Sequence, residues 1–538
     1  MRTFDVVDAT PLCTFRLLFG LAMAIESWRH YIWAKDYIIP FYFKWPVLQH
    51  LAPAPPGTES GMQAFFCALG AASLLMMICG ARMTYLYRFS AFLFAVLYLW
   101  FFSFDAAHYN NHYYLISLLS LFFCATDANR SVVPQWQLKL FQVQILTVYF
   151  FAGICKLNSE WLRGYPTRIT LFDAYDRAFA DVFSEVPKAR QLVIKDTLSI
   201  LPQVLTWIIS YGGLALDLTL PFILLPPVEF MDRPGEKPSQ LRHRLRHFGI
   251  WLSVLFHGCN SLMFNIGIFP FMMICTNALF MTSSEIAGVT STVARLCCCR
   301  DSDDDDVNPE HDGNIVTDNT PSSHTPSNTD NNRLKHSRMH RRLVVTLLCI
   351  HWALQWFLPL RHLAMHHMDA RLGYACQSRG QRVGWTGAGE MFAWRMMLTH
   401  KNCTGHFEVV RRCECSGPNC CPQQKLQVLL AERVSRENLR EERLHVSAAS
   451  LGLTILQQWR VFADPFFTRQ VATRGVRMRF PDSGSGWKVK EVYAHARCSL
   501  NGSPTQPYLN ESLDLTEMWS WSWNQWIDPS IVSQTEFV

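Results

Sequence analysis

Apolar stretches long enough to cross a bilayer recur through the first two thirds of this chain, and that recurrence restricts the fold more than any other feature. The cleanest, Met62–Gly80, holds no charged residue. At a rise of about 1.5 Å per residue it nearly matches a hydrocarbon core of about 30 Å. Others are Phe15–Ile32, Phe89–Phe104, Tyr113–Ala125, Leu140–Ile154, Leu198–Leu225, Phe248–Phe264, Gly267–Met281 and Leu343–Leu360. They predict eight or nine spans, the shorter ones as half-helices or paired re-entrant segments. Glu26 interrupts Phe15–Ile32 and no small-residue cleavage site follows, so this stretch reads as a retained helix rather than a signal peptide. Composition agrees. Hydrophobic residues make up 49% of the 538 and charged residues 17%, against about 25% in a soluble domain. With 37 Phe and 18 Trp, general disorder is excluded. A net charge of +6 is too small for a nucleic-acid-binding face, so no nucleic-acid partner is expected.

The expected fold class is mainly α: a polytopic helical membrane bundle of eight or nine spans followed by a small α+β lumenal domain. The expected domains are a membrane domain over 1–299, a disordered cytosolic linker over 300–342, the last span over 343–363 and a glycosylated lumenal domain over 364–538. The linker holds the acidic run Asp303–Asp306, then a Ser/Thr/Asn/Pro tract, then a basic end. Such a composition buries no core. Its basic end abuts the last span, which places it in the cytosol by the positive-inside rule. Sequons at Asn402, Asn501 and Asn510 place the tail in the lumen. In the tail, Leu426–His445 reads as an amphipathic helix, and Val476–Phe480 and Trp487–Leu500 read as strands. Seven cysteines there (Cys376, Cys403, Cys413, Cys415, Cys420, Cys421 and Cys498) predict disulfides ahead of a zinc site. Cys297–Cys299 follow a span and suit either S-acylation or plain interfacial thiols.

Charges in or beside the spans, at Arg16, Glu26, Lys156 and Asp217, should face the bundle interior, because exposure to lipid is costly. Lys156 ends an apolar run with no other charge. Burial disfavours a charged amine, and a neutral amine can take a proton from a phenol-like group. His112, preceded by Asn110 and Asn111, could donate a hydrogen bond to the resulting anion. A lysine at a helix end also snorkels to headgroups, and a lone histidine is commonly a satisfied structural group. The residues alone leave both roles open. His257 and Asn260, three apart on one helix face, suit either a polar seam between helices or the lining of a buried polar ligand.

Several motifs in order carry a resemblance. They are Asn-Asn-His-Tyr-Tyr-Leu at 110–115, Asp-Ala-Asn at 127–129, Tyr-Phe-x-Ala-Gly-x-x-Lys-Leu around Lys156, Gly-Gly-Leu-x-Leu-Asp at 212–217 and Phe-His-x-x-Asn-Ser-x-x-Phe-x-Ile-Gly-x-Phe at 256–269. Gln355-Trp-Phe-Leu-Pro with His362, Trp385-Thr-Gly-x-Gly, Phe392-x-Trp394-x-Met-Met and Cys498-Ser-Leu-Asn-Gly continue the series. The chain resembles the vitamin K-dependent gamma-carboxylase family, whose membrane portion is the HTTM domain. The resemblance implies an endoplasmic reticulum membrane enzyme that oxidises vitamin K hydroquinone with dioxygen to the epoxide. The strong base so formed removes a γ proton from a protein glutamate, and carbon dioxide adds to the carbanion. It implies catalytic roles for Lys156, as the base on the hydroquinone, and for His112. Asn110, Asn111, His257, Asn260, His362, Trp385 and Trp394 are the quinol-pocket candidates. Its partners would be reduced vitamin K, glutamate-containing secretory proteins and membrane lipid, with no metal required. The resemblance weakens past residue 400, where the tail is shorter than in vertebrate members. The alternatives are a quinol-oxidising homologue without peptide carboxylation and a non-enzymatic transporter or lipid-binding protein. The chain shows no internal repeat, which lowers the transporter reading.

Overall fold

The computed structural model describes residues 4–45, 53–184, 187–225, 240–264, 266–298, 338–371, 391–396, 398–414, 431–433, 441–481, 486–517 and 527. The chain divides into two compact units, residues 1–280 with 358–538, and residues 281–357. The first begins with a short antiparallel pair of β1 (Val6–Asp8) and β2 (Val132–Pro134). Between those strands run α1 (Thr10–Ile32), α2 (Glu59–Ile78), α3 (Thr84–Ser103) and α4 (Asn111–Ala125). After β2 come α5 (Gln135–Lys156), α6 (Ser159–Leu162), α7 (Thr167–Val182), α8 (Lys188–Leu198), α9 (Ile200–Leu224), α10 (Gln240–Met263) and α11 (Phe269–Thr276). The second unit holds α12 (Ser283–Cys298) and the first part of α13 (Arg338–Arg371). That helix starts inside the stretch read as linker; the rest of the linker lies outside the described residues.

Among the described residues, five helical stretches are long and apolar enough to cross a membrane: Glu59–Ile78, Ala81–Ser103, Gln135–Lys156, Ile194–Leu224 and Arg338–Arg361. The expected count of eight or nine is therefore not confirmed. The 15 residues of α4 span only about 22 Å. The 267–281 stretch breaks into the eight-residue α11 and a 3₁₀ turn at Asn277–Phe280. The 23-residue α1 and the 24-residue α10 have the length, but Arg16, Glu26 and Arg29 in one and Arg242, Arg244 and Arg246 in the other dilute their apolar character.

The helices pack α1 on α2, α2 on α3, α3 on α4, and α5 on α9. Phe15, Phe19, Phe123 and Phe141 interlock at the centre with ring centroids 4.9–5.9 Å apart. Gly153 decides the approach of α5 to α9. A Cβ there would lie 2.7 Å from Leu218 Cδ2 and 3.0 Å from the Leu218 backbone nitrogen, so only glycine lets the two helices meet at this level. The intramembrane charges do face inward: Arg16, Glu26, Lys156 and Asp217 are each at most 6% exposed. Arg16 donates to the carbonyls of Met76 and Cys79, both at 2.6 Å, and so caps the C-terminal end of α2.

The C-terminal part is built on an antiparallel sheet of β3 (Lys401–Cys413), β4 (Ala431–Arg433), β5 (Glu441–Ser447), β6 (Trp487–Leu500) and β7 (Gln506–Pro507), in the order β4-β5-β3-β6-β7. The predicted strand Trp487–Leu500 is β6 itself. Two other expectations fail. Within the predicted helix Leu426–His445, the described residues 431–433 and 441–445 are strand. In Glu441–Ser447 the buried Leu444 and Val446 alternate with partly exposed Arg443 and His445, and cross-strand packing overrides the helix preference of its Glu and Arg residues. The predicted strand Val476–Phe480 begins with a helical turn, α16 (Val476–Arg479), which follows α14 (Ile455–Val461) and α15 (Pro465–Gln470). Buried Val476 and Phe480 are four apart, so they share a helix face, and over five residues alternation cannot be told from that spacing.

Cys403 and Cys498 are register partners on β3 and β6 and form a disulfide; Cys413 is disulfide-bonded as well. Of the sequon asparagines, Asn402 is exposed and Asn510 half-buried. Asn501 is 7% exposed, and its side-chain amide donates to Glu160. That nitrogen has no room for a glycan in the folded chain.

Candidate active site

A cavity of about 580 Å³ lies where the ends of α1, α4, α5 and α10 and the middle of α9 meet the segment 391–396. Small-molecule sites generally occupy about 300–1,000 Å³.

Lys156 is the last residue of α5 and is 6% exposed. Its Nζ donates to Asp217 Oδ2 at 2.5 Å and to the Ala152 carbonyl at 3.4 Å. It also lies 5.1 Å from the ring centre of Trp161, whose indole N–H is fixed on the Ser210 carbonyl at 2.8 Å. The lysine therefore turns inward, onto a carboxylate as deeply buried as itself, rather than snorkelling outward.

His112 stands in the first turn of α4, its ring edge-on to Tyr113 at 4.5 Å and tilted against Phe269 at 6.2 Å. Neither ring nitrogen has a hydrogen-bond partner among the described residues, and the imidazole lines the cavity. Facing it is Gly267, which adopts a left-handed φ of +59°; a Cβ there would point at His112 Nε2 and Arg29 Nη2, 3.9 Å from each. Glycine thus supplies the turn and keeps the space before the imidazole open.

The remaining candidates divide. Asn110, Asn111, His257 and Asn260 all line the cavity. Asn111 is a structural tie: its Oδ1 accepts from Tyr109 Oη at 2.8 Å and its Nδ2 donates to the Arg395 carbonyl at 2.8 Å. His257 Nε2 lies 2.8 Å from Tyr149 Oη, which is also 3.0 Å from Ser253 Oγ, while His257 Nδ1 is buried without a partner. Trp394 is fully buried beneath the lining, stacked on Tyr114 at 4.9 Å, and does not reach the cavity. The side chain of His362, on α13, and the whole of Trp385 lie outside the described residues.

Sequence reasoning marked Asp217 as an intramembrane charge without assigning it to Lys156. It missed Arg29, Tyr149 and Trp161 as lining residues, and Arg395 and Arg460 as cavity cations. Arg29 is paired with Glu26.

The HTTM domain family model matches residues 4–284, a stretch that supplies every part of the cavity before residue 391. No solved structure matches the chain.

Proposed function

Because the chain belongs to the HTTM-domain family, whose domain is characteristic of the vitamin K-dependent gamma-carboxylases, we propose that it is an integral membrane carboxylase of that kind. It would reside in the endoplasmic reticulum membrane with its C-terminal domain in the lumen, and couple oxidation of vitamin K hydroquinone to carboxylation of protein glutamates. One observation carries this reading: a buried Lys156–Asp217 pair and an unpartnered His112 line the same cavity.

The hydroquinone, as co-substrate, supplies the reducing power, with dioxygen and carbon dioxide as the other reactants. Lys156 is the base. As a quinol hydroxyl proton moves to Lys156 Nζ, the lysine passes the proton it shares with Asp217 to Oδ2. The net change turns one carboxylate into a carboxylic acid and one quinol into a quinolate. The quinolate then replaces Asp217 as counter-ion to the ammonium, so no isolated charge is created in the buried site. His112 offers an N–H to charge that develops on the substrate, from a position fixed by α4 and bare of competing partners. Trp161 and Phe269 close the walls against water. This mechanism needs no metal.

The test is incorporation of labelled bicarbonate into a glutamate-containing peptide, with and without reduced vitamin K, by the purified chain in lipid, with epoxide measured in parallel. Label that depends on reduced vitamin K supports the reading. Epoxide without label would leave a quinol oxidase, and neither product would overturn both.

A further inference from the structure

The C-terminal part carries an apolar helix face that its own packing leaves open. In α14 the side chains of Ile455 and Trp459 are 71% and 70% exposed, and Leu456 beside them is 36% exposed. At about 100° per residue these three share one side of the helix. The buried Gln457 and Val461 lie on the opposite side. That side is firmly seated. Gln457 donates to Asp105 Oδ2 at 2.7 Å and to the Phe41 carbonyl at 2.8 Å, and it closes a capping box with Thr454. A fixed helix that presents Trp, Ile and Leu together marks a contact surface.

What it contacts follows from where α14 is held. It packs on the 3₁₀ turn Ala106–His108, which directly follows α3, part of one of the membrane-crossing stretches. Arg460 adds a bond to the Tyr109 carbonyl at 3.4 Å. So α14 lies at the level where a span ends. Other exposed tryptophans mark the same level. A Cβ on Gly20 of α1 would meet Ser73 and Met77 of α2, and one on Gly70 of α2 would meet Ser27, so α1 and α2 run antiparallel. Only the short turn Ala81–Met83 joins α2 to α3. The end of α1, the start of α2 and the end of α3 therefore share one side. There Trp28 and Trp33 are exposed, with Trp28 stacked on Tyr31 at 5.2 Å. Exposed tryptophans at span ends are the signature of the headgroup layer. We propose that α14 is an interfacial anchor, its Ile455–Leu456–Trp459 face set among the headgroups and upper acyl chains of a phospholipid leaflet. This does not depend on the carboxylase reading. Arg460, the next residue, lines the cavity, so the anchor stands at the cavity's rim.

The experiment places the full chain in phosphatidylcholine nanodiscs doped with one of two photoreactive phosphatidylcholines. One carries its diazirine near the acyl carbonyl and the other at the chain terminus. Adducts are mapped by mass spectrometry on the tryptic fragment 444–460, bounded by Arg443 and Arg460. Exposed Phe92, midway along α3, is the reference for the bilayer centre. The shallow probe should label Ile455, Leu456 or Trp459, and the deep probe should label Phe92 and spare α14. In a second arm, Ile455→Gln with Trp459→Gln keeps helix preference and the buried Gln457 ties, so the variant should fold. Amide exchange over 454–461 in nanodiscs should then quicken about tenfold or more, as lipid burial of two apolar side chains is lost. A fragment 444–460 left unlabelled by the shallow probe while Phe92 is labelled by the deep one overturns the proposal. Equal labelling of α14 by both probes, or unchanged exchange in the folded double variant, overturns it as well. Chemical cross-links joining fragment 444–460 of two copies would give the face to self-association and overturn it equally.

Discussion

Replacing Asp217 by Asn tests whether the buried pair is machinery or ballast. The side chains of Lys156 and Asp217 are only 8% and 5% exposed, and the charges are 2.5 Å apart. At an effective dielectric constant of about 20, that attraction is roughly 7 kcal/mol before desolvation is subtracted. Removing one partner of such a pair generally costs about 3–5 kcal/mol, because the remaining charge is stranded. Asp217→Asn should therefore lower the melting temperature in detergent, by less than the full amount if the lysine sheds its proton. If a neutral lysine were all the chemistry required, this variant would keep its turnover. If the carboxylate is the proton's destination, epoxide formation should fall by about 10²–10⁴, the usual contribution of a positioned base. The double variant Lys156→Met with Asp217→Leu separates the two effects. It should regain stability, since a matched apolar pair is often neutral or better by about 1–4 kcal/mol, and it should stay inactive. Normal epoxide turnover in Asp217→Asn would refute the relay. A double variant as unstable as the single one would refute the account of its stability.

Lys156→Arg should fold and insert normally but make neither epoxide nor carboxylated peptide, because arginine cannot give up its proton at working pH; His112→Ala should lower turnover while quinol binding stays nearly intact. Endoglycosidase should shift the mobility of the wild type and of Asn501→Gln alike, whereas Asn402→Gln should lose part of that shift, since Asn402 is exposed and Asn501 is buried on Glu160. The Cys403–Cys498 disulfide closes a separation of 95 residues, so replacing both with Ser should cost the C-terminal part about 2–5 kcal/mol in a denaturant titration. His406 lies between the rings of His445 and His495, with Glu408 and Glu511 opposing that repulsion, and burial is the first of the causes that hold its imidazole below its usual value. The fold thus favours neutral His406, so its contribution is present above about pH 6.5 and lost as the pH falls below it; melting between pH 7.5 and 5.5 should flatten in His406→Ala.

Lys156 and His112 were legible because a polar group in an apolar run is conspicuous. The pairing of Lys156 with Asp217 was not, since it depends on α5 meeting α9 across Gly153 and Leu218, a contact between positions 65 apart in the chain. Arg395 gave no signal at all, standing as an ordinary charge among aromatic residues. The span count was not confirmed for a different reason. Apolar runs mark burial, and in α4 and the 267–280 region that burial belongs to helices too short to cross alone. Local alternation misled at Val476–Phe480 because the same five residues also fit one face of a helix.

The least legible part of the site, residues 391–396, explains why the cavity needs the C-terminal part. Phe392 and Trp394 both adopt left-handed backbone, which costs bulky residues about 1–3 kcal/mol each unless the surroundings enforce it. Here they do. The Phe392 N–H donates to Tyr109 Oη at 2.5 Å, its ring stands edge-on to Tyr114 at 4.8 Å, and Trp394 stacks on the same tyrosine. Tyr109 Oη in turn donates to Asn111, and Asn111 holds the Arg395 carbonyl. Every one of these ties lands on residues 109–114, the turn that carries His112. The strained segment is therefore tied to the turn that carries His112. A change that relaxed residues 392–394 would shift Arg395 and the turn that carries His112 together.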